Sequence, residues 1–148
     1  MNIEITPVSE KTLEDLVVLF GEYQMFYQAK PNRDHNRTFL QNFFKRDDGI
    51  FFLCHYGEQK IGYVSLYFSY SSVSAKRIAI LNDLYVCEQF RGQGIGKALI
   101  DFAINYSREI GISQVRWCTR INNTQAQTLY KKYNANKTDW FHYDLDVS

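Results

Sequence analysis

The sequence predicts a mixed α/β fold in a single domain that spans residues 1–148. Apolar runs rich in β-branched and aromatic residues alternate with segments of helical periodicity, in the order β-α-α-β-β-β-α-β-α-β. The length suits one domain, since a chain of this size buries about two-thirds of its unfolded surface. No repeat, linker or low-complexity segment divides it.

The N-terminal half contains three predicted strands and two helices. "NIEITPV" alternates like a short strand, and Leu13, Leu16, Val17 and Phe20 recur at helical spacing in a helix over 12–28. Pro31 and Asn32 end that helix, and a second one covers 36–46. Residues 49–70 then form a hairpin that turns at Gly57 and Glu58.

The C-terminal half begins with a long apolar strand over 77–87, expected to be buried on both faces. A helix over 95–110 follows, with Leu99, Ile100, Phe102, Ala103 and Tyr106 directed inward, and Gly111 ends it. A strand over 113–119, a helix over 122–134 and a final alternating strand over 140–147 complete the prediction.

Composition excludes several classes of function. A net charge of +1 argues against a dedicated nucleic-acid binder. Three widely spaced cysteines without a CxxC pair disfavour a zinc site or a disulfide framework. We therefore expect no metal, and we expect the three cysteines to be free thiols in a reducing cytosol. With no secretory signal at the N-terminus and no apolar run of about 20 residues, the protein is expected to be cytoplasmic, without a membrane partner. The abundant aromatic residues indicate core packing or, alternatively, an aromatic-lined small-molecule pocket.

A glycine-rich loop, "QFRGQGIGKALI" at 89–100, joins the long strand to the next helix. Such a loop directs backbone N–H groups at an anion. A nucleoside-triphosphate loop is disfavoured because Ala98 stands where a metal-binding hydroxyl is needed. A dinucleotide site is disfavoured too, because the spacing is G-x-G-x-G and no acidic residue ends the next strand.

The remaining pattern, Arg91-x-x-Gly94-x-Gly96, resembles the acetyl-CoA motif Q/R-x-x-G-x-G/A of the GNAT family, the GCN5-related N-acetyltransferases. "LNDLYV" at 81–86 resembles the family's preceding strand. Asn123, Ala126, Leu129 and Tyr130 match its N-x-x-A-x-x-L-Y helix, with Asn134 where glycine is usual. The matches span 77–136 in order, and the N-terminal strand and helices agree with the family.

The resemblance implies a GNAT acyl-CoA N-acyltransferase fold, with a central, mostly antiparallel sheet splayed at a V-shaped cleft and helices on both faces. It implies that acetyl-CoA binds in that cleft, where a bulged strand pairs with the pantetheine arm. The implied cofactor-binding residues are Leu84, Tyr85, Val86, Arg91, Gly92, Gln93, Gly94, Ile95, Gly96, Lys97, Asn123, Ala126 and Tyr130.

The resemblance also implies catalytic roles. Tyr130 matches the tyrosine that protonates the departing sulfur, and Asn123 matches a residue that contacts the pantetheine or a nearby water. Asn123 can also cap the helix, and the two roles are compatible. Many amine-acetylating relatives carry Glu-Asp where this chain has Asn82-Asp83. Asn82 cannot accept a proton, so Asp83 is the candidate base or substrate anchor, with a purely structural aspartate as the alternative.

The acceptor pocket is expected in the N-terminal half, where "LFGEYQMFYQAKPN" resembles the small-amine and polyamine-type subset of the family. The expected reaction is direct attack on the thioester, in a ternary complex, by a primary amine of a small molecule or peptide. A non-catalytic acyl-CoA-binding sensor or scaffold is the alternative, and a homodimer is the expected assembly. The expected acceptor-site residues are Glu22, Tyr23, Phe26, Tyr27, Asn82 and Asp83.

Overall fold

The structure, a computed structural model, describes all residues from 1 to 148. The chain forms two compact units, Met1–Cys118 and Thr119–Ser148, and each is described by itself. The organisation as a single domain stays a prediction. No helix combines the length and the apolar character that crossing a bilayer requires.

The larger unit contains one five-stranded sheet in the order β1-β2-β3-β4-β5. The first four strands pair antiparallel, and β5 pairs parallel to β4. Parallel neighbours need a crossover, and the helix α3 supplies it between β4 and β5. The strands are β1 Glu4–Pro7, β2 Gly49–Tyr56, β3 Gln59–Ser71, β4 Lys76–Val86 and β5 Val115–Arg116.

Helices cover both faces of this sheet, as the resemblance implied. The helices α1 (Leu13–Phe26) and α2 (Arg33–Lys45) share a core with one face, and the helix α3 (Ile95–Glu109) packs on the other. On the α3 face, the rings of Phe102 and Tyr106 each lie 4.9 Å from the ring of Phe52. The opposite core contains Leu16, Val17, Leu19, Phe20, Leu40, Phe43, Phe51, Leu53, Tyr63, Tyr85 and Cys87.

Two local signals set the helix boundaries. The helix α1 ends before Gln28, whose φ of 62° is incompatible with a continued helix. The helix α2 begins three residues earlier than its apolar pattern predicts, because the side chain of Asn32 accepts a hydrogen bond of 3.0 Å from the His35 amide.

A bulge in β4 and a short β5 together open the sheet. Ser65 pairs with Asp83 and Leu66 with Leu81, which leaves Asn82 as the extra residue on β4. The strand β5 pairs with β4 only at Ala79 and Ile80. Beyond that point the outer edge of β4 has no neighbouring strand in the sheet, which is the splayed geometry that the family resemblance implied.

The smaller unit contains one helix, α4 (Thr124–Lys131), capped by the Asn123 side chain, which accepts a 3.2 Å hydrogen bond from the Ala126 amide.

The prediction of a final strand over 140–147 is wrong, because residues 135–148 have neither helix nor strand. The predicted strand over 113–119 shrinks to β5. Alternation makes a segment amphipathic, but a strand forms only where its backbone hydrogen-bonds to a neighbour.

Candidate active site

The glycine loop presents unpaired backbone donors at the start of α3. Gly94 caps the helix with a φ of 82°, and Gly92 has a φ of 75°, two conformations that other residues rarely adopt. The Ala98 amide makes the first helical hydrogen bond, to the Gly94 carbonyl, so the three preceding amides are free of intrahelical partners. A Cβ atom added at Gly92, Gly94 or Gly96 would meet nothing within 4 Å. This open space suits an anion at the positive end of the helix.

The outer edge of β4 leads to this loop and presents further backbone groups. The Cys87 amide donates to the Ile61 carbonyl on β3, and backbone groups alternate in direction along a strand. The backbone of Leu84 and Val86 therefore faces the free edge. The Tyr85 backbone faces β3, and its carbonyl oxygen would lie 2.4 Å from a Cβ atom at Gly62, which explains the glycine there. Tyr85 thus contributes its side chain to the site rather than its backbone.

The side chain of Arg91 fastens the loop to the strand and to α1. Its Nε donates a 2.8 Å hydrogen bond to the Val86 carbonyl. Its guanidinium lies 5.1 Å from the centre of the Phe26 ring and 5.7 Å from that of Tyr85, within the range of cation–π attraction. The glycine loop and the end of α1 are therefore joined through one side chain.

The other polar side chains of the loop are engaged locally. The Lys97 ammonium lies 2.6 Å from the Asp101 carboxylate within α3. The side-chain amide of Gln93 donates a 3.3 Å hydrogen bond to the backbone carbonyl of Gln89. Their contribution to an anion site in this geometry comes from the backbone.

Asp83 is the centre of a buried polar cluster beneath the bulge. It is 3% exposed. Its Oδ2 accepts a 2.7 Å hydrogen bond from the Ser65 hydroxyl, and its Oδ1 accepts one of 3.1 Å from Asn82. Burial raises the pKa of this carboxyl, and the hydrogen bonds from Ser65, Tyr23 and Asn82 oppose that rise without cancelling it. A carboxylate with a raised pKa is suited to accept a proton.

Three tyrosine rings pack beside this carboxylate. The centres of the Tyr23, Tyr63 and Tyr85 rings lie 6.0 to 6.5 Å from one another. Burial and the charge of Asp83 raise the pKa values of Tyr23 and Tyr63, so both phenols stay protonated at neutral pH. Burial, together with Glu22, raises the pKa of Tyr85 to about 12.

Glu22 on α1 lies at the border between this cluster and a groove of about 330 Å³. Its Oε2 accepts a hydrogen bond of 3.0 Å from the Tyr85 hydroxyl, and the Cys87 thiol lies 3.7 Å from the same oxygen. Burial, followed by Glu22, raises the pKa of Cys87 to about 11. Because only a thiolate is an effective nucleophile, Cys87 is a poor candidate to carry an acyl group. The groove is lined by Asp15, Val18, Leu19, Glu22, Glu58, Gln59, Lys60, Cys87 and Gln89.

The exposed end of α1 completes the candidate acceptor side. Phe26 and Tyr27 are 59% and 45% exposed, and their rings pack against each other at 5.2 Å. Tyr27 also packs on Tyr23, at 4.9 Å. The fold thus links the predicted acceptor residues at the end of α1 to Asn82 and Asp83 of β4 through Tyr23, whose pKa is raised by burial and by the charge of Asp83.

Sequence reasoning missed two members of the cluster, Tyr63 and Ser65 on β3. Both stand in the apolar run "IGYVSLYF", and polar residues at alternate positions of such a run could have marked them. Three other predicted residues, Asn123, Ala126 and Tyr130, lie on α4 or at its start in the smaller unit. Tyr130 is half-buried there, one helical turn beyond Ala126.

Comparison with known proteins agrees with this geometry. The model of the acetyltransferase (GNAT) family matches residues 15–135. An uncharacterized N-acetyltransferase of Bacillus subtilis (strain 168) is 30% identical over 148 residues, which are 99% of this chain and 98% of that protein. The D-amino-acid N-acetyltransferase of Saccharomyces cerevisiae is 38% identical over 79 residues, which are 53% of this chain and 48% of the yeast protein.

Solved structures show the same fold. The crystal structure of a probable acetyltransferase, 30% identical, superposes with a TM-score of 0.87 over 98% of both chains. An aminoglycoside N-acetyltransferase in complex with CoA has a TM-score of 0.83 at 16% identity, over 99% of this chain and 96% of that one, and this likeness shows the fold alone. The splayed sheet, the glycine loop and the family match over most of the chain lead to one conclusion: this chain is an acetyltransferase of the GNAT family.

Proposed function

We propose that this protein transfers the acetyl group of acetyl-CoA to a primary amine of a small-molecule or peptide acceptor, by direct attack in a ternary complex. The observation that carries the proposal is the combination of two sets of backbone groups near a buried carboxylate whose pKa is raised. One set lies on the outer edge of β4, where no strand pairs with it, and the other is the open amides at the N-terminus of α3. The protonated thiol of Cys87 favours direct attack over an acyl-enzyme on that residue.

The residues present fit acetyl-CoA. The backbone of Leu84 and the Val86 amide would pair with the amides of the pantetheine arm, since the Val86 carbonyl is bonded to Arg91. The amides of residues 92–97 would hold the pyrophosphate. The open space beside the glycines supports this assignment, since a side chain there would fill it. Members of the family generally use acetyl-CoA, and the resemblance assigns Asn123, Ala126 and Tyr130 to the same cofactor.

The chemistry requires proton transfers at both ends of the reaction. Acetyl-CoA supplies the activated acetyl group. A primary alkyl amine with a pKa near 10 costs about 4 kcal/mol to be neutral at pH 7, and Asp83 would accept that proton. Because Asp83 is 3% exposed, the proton would reach it through water rather than by direct contact with the acceptor. The Tyr130 hydroxyl would donate its proton to the departing sulfur.

The acceptor would lie against the end of α1. Glu22 and Asn82 would supply polar contacts, and the rings of Tyr23, Phe26 and Tyr27 would supply the walls. An aromatic wall with few polar groups suits a small molecule, since such pockets orient their ligands by a few well-placed contacts. The yeast relative, named for D-amino acids, supports an acceptor with a small free amine.

The test is thiol release from acetyl-CoA in the presence of a panel of amines: diamines, polyamines, amino acids, aminoglycosides and short peptides. We expect turnover with at least one small primary amine. Tight binding of acetyl-CoA in calorimetry, with no thiol release for any amine, would instead support a sensor or scaffold module.

We also propose a homodimer that joins through the C-terminal segment. Trp140, Phe141 and Tyr143 are each at least 80% exposed there, and a run of large exposed apolar side chains is typical of an interaction surface. A second copy of the chain would cover them. Sedimentation at micromolar concentration should give the dimer mass, and Phe141→Ser combined with Tyr143→Ser should reduce it to the monomer mass.

A further inference from the structure

Tyr63 contains the one fully buried side-chain polar atom in residues 1–148 that has no hydrogen-bond partner, its hydroxyl oxygen. The residue itself is 0% exposed. Buried hydroxyls are nearly always paired with the protein or with an ordered water, because an unpaired one loses its hydration without compensation. The hydroxyl of Tyr63 therefore needs a partner that the polypeptide does not supply.

The position of Tyr63 puts it beside Asp83. It pairs across the strands with Tyr85 and precedes Ser65 by two residues, so Tyr63 and Ser65 share a face of β3. Ser65 donates directly to Asp83. The Tyr63 ring also lies 6.0 Å from that of Tyr23, and the charge of the same carboxylate raises the pKa of both tyrosines.

Packing alone does not account for a tyrosine at this position. The Tyr63 ring packs at 5.9 Å against Phe51 and at 6.4 Å against Phe20, both apolar neighbours that a phenylalanine would fit equally well. A phenylalanine would also avoid burying a hydroxyl. The hydroxyl, not the ring, is the feature that needs a role.

We propose that Tyr63 is a positioning residue of the acetyl transfer: its hydroxyl holds a water molecule against Asp83, and this water carries the proton of the acceptor amine to the carboxylate. The inference rests on the proposed function. A buried water needs two to four polar partners, and Tyr63, Asp83 and the acceptor nitrogen supply three.

The proton balance of this step is complete. The N–H bond of the acceptor ammonium breaks, and its proton passes to the water. The water passes a proton to the Asp83 carboxylate, which becomes a neutral carboxyl until it releases the proton to solvent. The Tyr63 phenol stays protonated throughout, since burial and the charge of Asp83 raise its pKa far above neutrality.

The groups that face Asp83 make its titration a sensitive readout. They are Tyr23 from α1, Ser65, Tyr63 and Tyr67 from β3, and Asn82 from β4. All are neutral at pH 7, and the nearest other carboxylate in the hydrogen-bond network, Glu22, is bonded to Tyr85 rather than to Asp83. A hydroxyl that donates through water to the ionised carboxylate lowers the pKa of Asp83, and its removal should raise that pKa.

The test compares Tyr63→Phe with Tyr106→Phe, a control that removes a hydroxyl on the opposite face of the sheet, where Tyr106 packs on Phe52. Two quantities are measured: the pH dependence of kcat/KM, and the titration of the Asp83 carboxyl carbon by NMR without substrates. In Tyr63→Phe we expect kcat/KM to fall about tenfold with acetyl-CoA affinity unchanged. The Asp83 pKa should rise by about half a unit, which is about a threefold change in its ionisation constant, and the acidic limb of kcat/KM should move with it. Tyr106→Phe should change neither quantity.

Two results would overturn the inference. One is an Asp83 titration that is the same in wild type and Tyr63→Phe. The other is a melting temperature of Tyr63→Phe above that of wild type, because only a hydroxyl without a partner is better removed. A wild-type protein that acetylates no amine, but whose Asp83 titration shifts in Tyr63→Phe, would refute the proposed function and leave the Tyr63–Asp83 water intact.

Discussion

The glycine loop and the Asp83 cluster, to which we assign anion binding and proton transfer, are built in different ways. The loop uses backbone amides of neighbouring residues, with open space beside Gly92 and Gly94. The cluster uses side chains from three elements that are distant in sequence, with Tyr23 on α1, Ser65 on β3 and Asp83 on β4. An anion site of the proposed kind therefore depends on local conformation, whereas the raised pKa of Asp83 depends on burial.

Electrostatics separates the two regions in the same way. The N-terminus of α3 favours negative charge through N–H groups that remain open. Burial at Asp83 disfavours negative charge, since it raises the pKa of the carboxyl despite three hydrogen bonds. A variant of the loop should therefore alter cofactor affinity, and a variant of the cluster should alter pH dependence.

The largest effect is expected from Gly94→Asp, which adds a side chain and a negative charge beside the proposed pyrophosphate site. Acetyl-CoA affinity in calorimetry should fall about 100-fold or more, because such a fall corresponds to the loss of one to two charge-assisted hydrogen bonds. Gly111→Asp is the matched control, because its φ of 83° equals that of Gly94 within a degree and its surroundings are equally open. Gly111→Asp should lose stability but keep its affinity, and unchanged affinity in Gly94→Asp would contradict the loop assignment.

A second test, Tyr130→Phe, separates cofactor binding from proton donation. The change keeps the ring and removes only the hydroxyl, so acetyl-CoA affinity should stay constant while kcat falls about 100-fold, the low end for general acid catalysis. The low end is expected because a thiolate is already a fair leaving group. An acetyl donor with a more acidic thiol should reduce the loss. Tyr133→Phe, also half-buried and just beyond α4, is the control, and wild-type kcat in Tyr130→Phe with chemistry rate-limiting would exclude the tyrosine as the acid.

A third test, Asp83→Asn, examines burial directly. The folded-state pKa of Asp83 is raised above its ordinary value. At a pH between these two values, the folded protein keeps a proton on Asp83 that the unfolded chain has released. Wild-type stability should therefore decline as the pH rises through this window. Asp83→Asn should lack that decline in urea denaturation measured across the pH range. Parallel pH profiles for the two proteins would show that Asp83 is not held in a desolvating site.

The smallest effect is expected from Glu14→Gln on the exposed side of α1. Its pH dependence is opposite to that of Asp83, because stability is lost as the pH falls. Glu14 pairs with Arg37 and Arg33 of α2, and hydrogen bonding to Arg37 lowers the pKa of Glu14 to about 2. Wild type should lose this small stabilisation as the pH falls from about 4.5 toward 2, and Glu14→Gln should not. High salt should nearly abolish the difference in the urea midpoint, because exposed pairs are screened. A salt-independent difference would show that the pair is not solvent-exposed.

Features that depend only on neighbouring residues follow from the sequence. The glycine spacing at 92–96 predicts a loop with backbone amides open to an anion, and Asn123 predicts the start of α4. The element order up to α4 also follows, because periodicity and turn residues are local signals. The family resemblance rests on these same local patterns, which the match over 15–135 confirms.

The contacts that join distant segments follow only from the assembled fold. The bulge at Asn82 buries Asp83 and exposes its neighbour, and no local pattern distinguishes the two. Tyr63 reads in sequence as an ordinary aromatic strand residue, and only the packing of α1 over β3 and β4 places its hydroxyl among the groups around Asp83. The alternation over 140–147 predicted a strand that does not form. In each case the deciding quantity is burial or pairing with a distant segment, which is set by the assembled fold and not by adjacent residues.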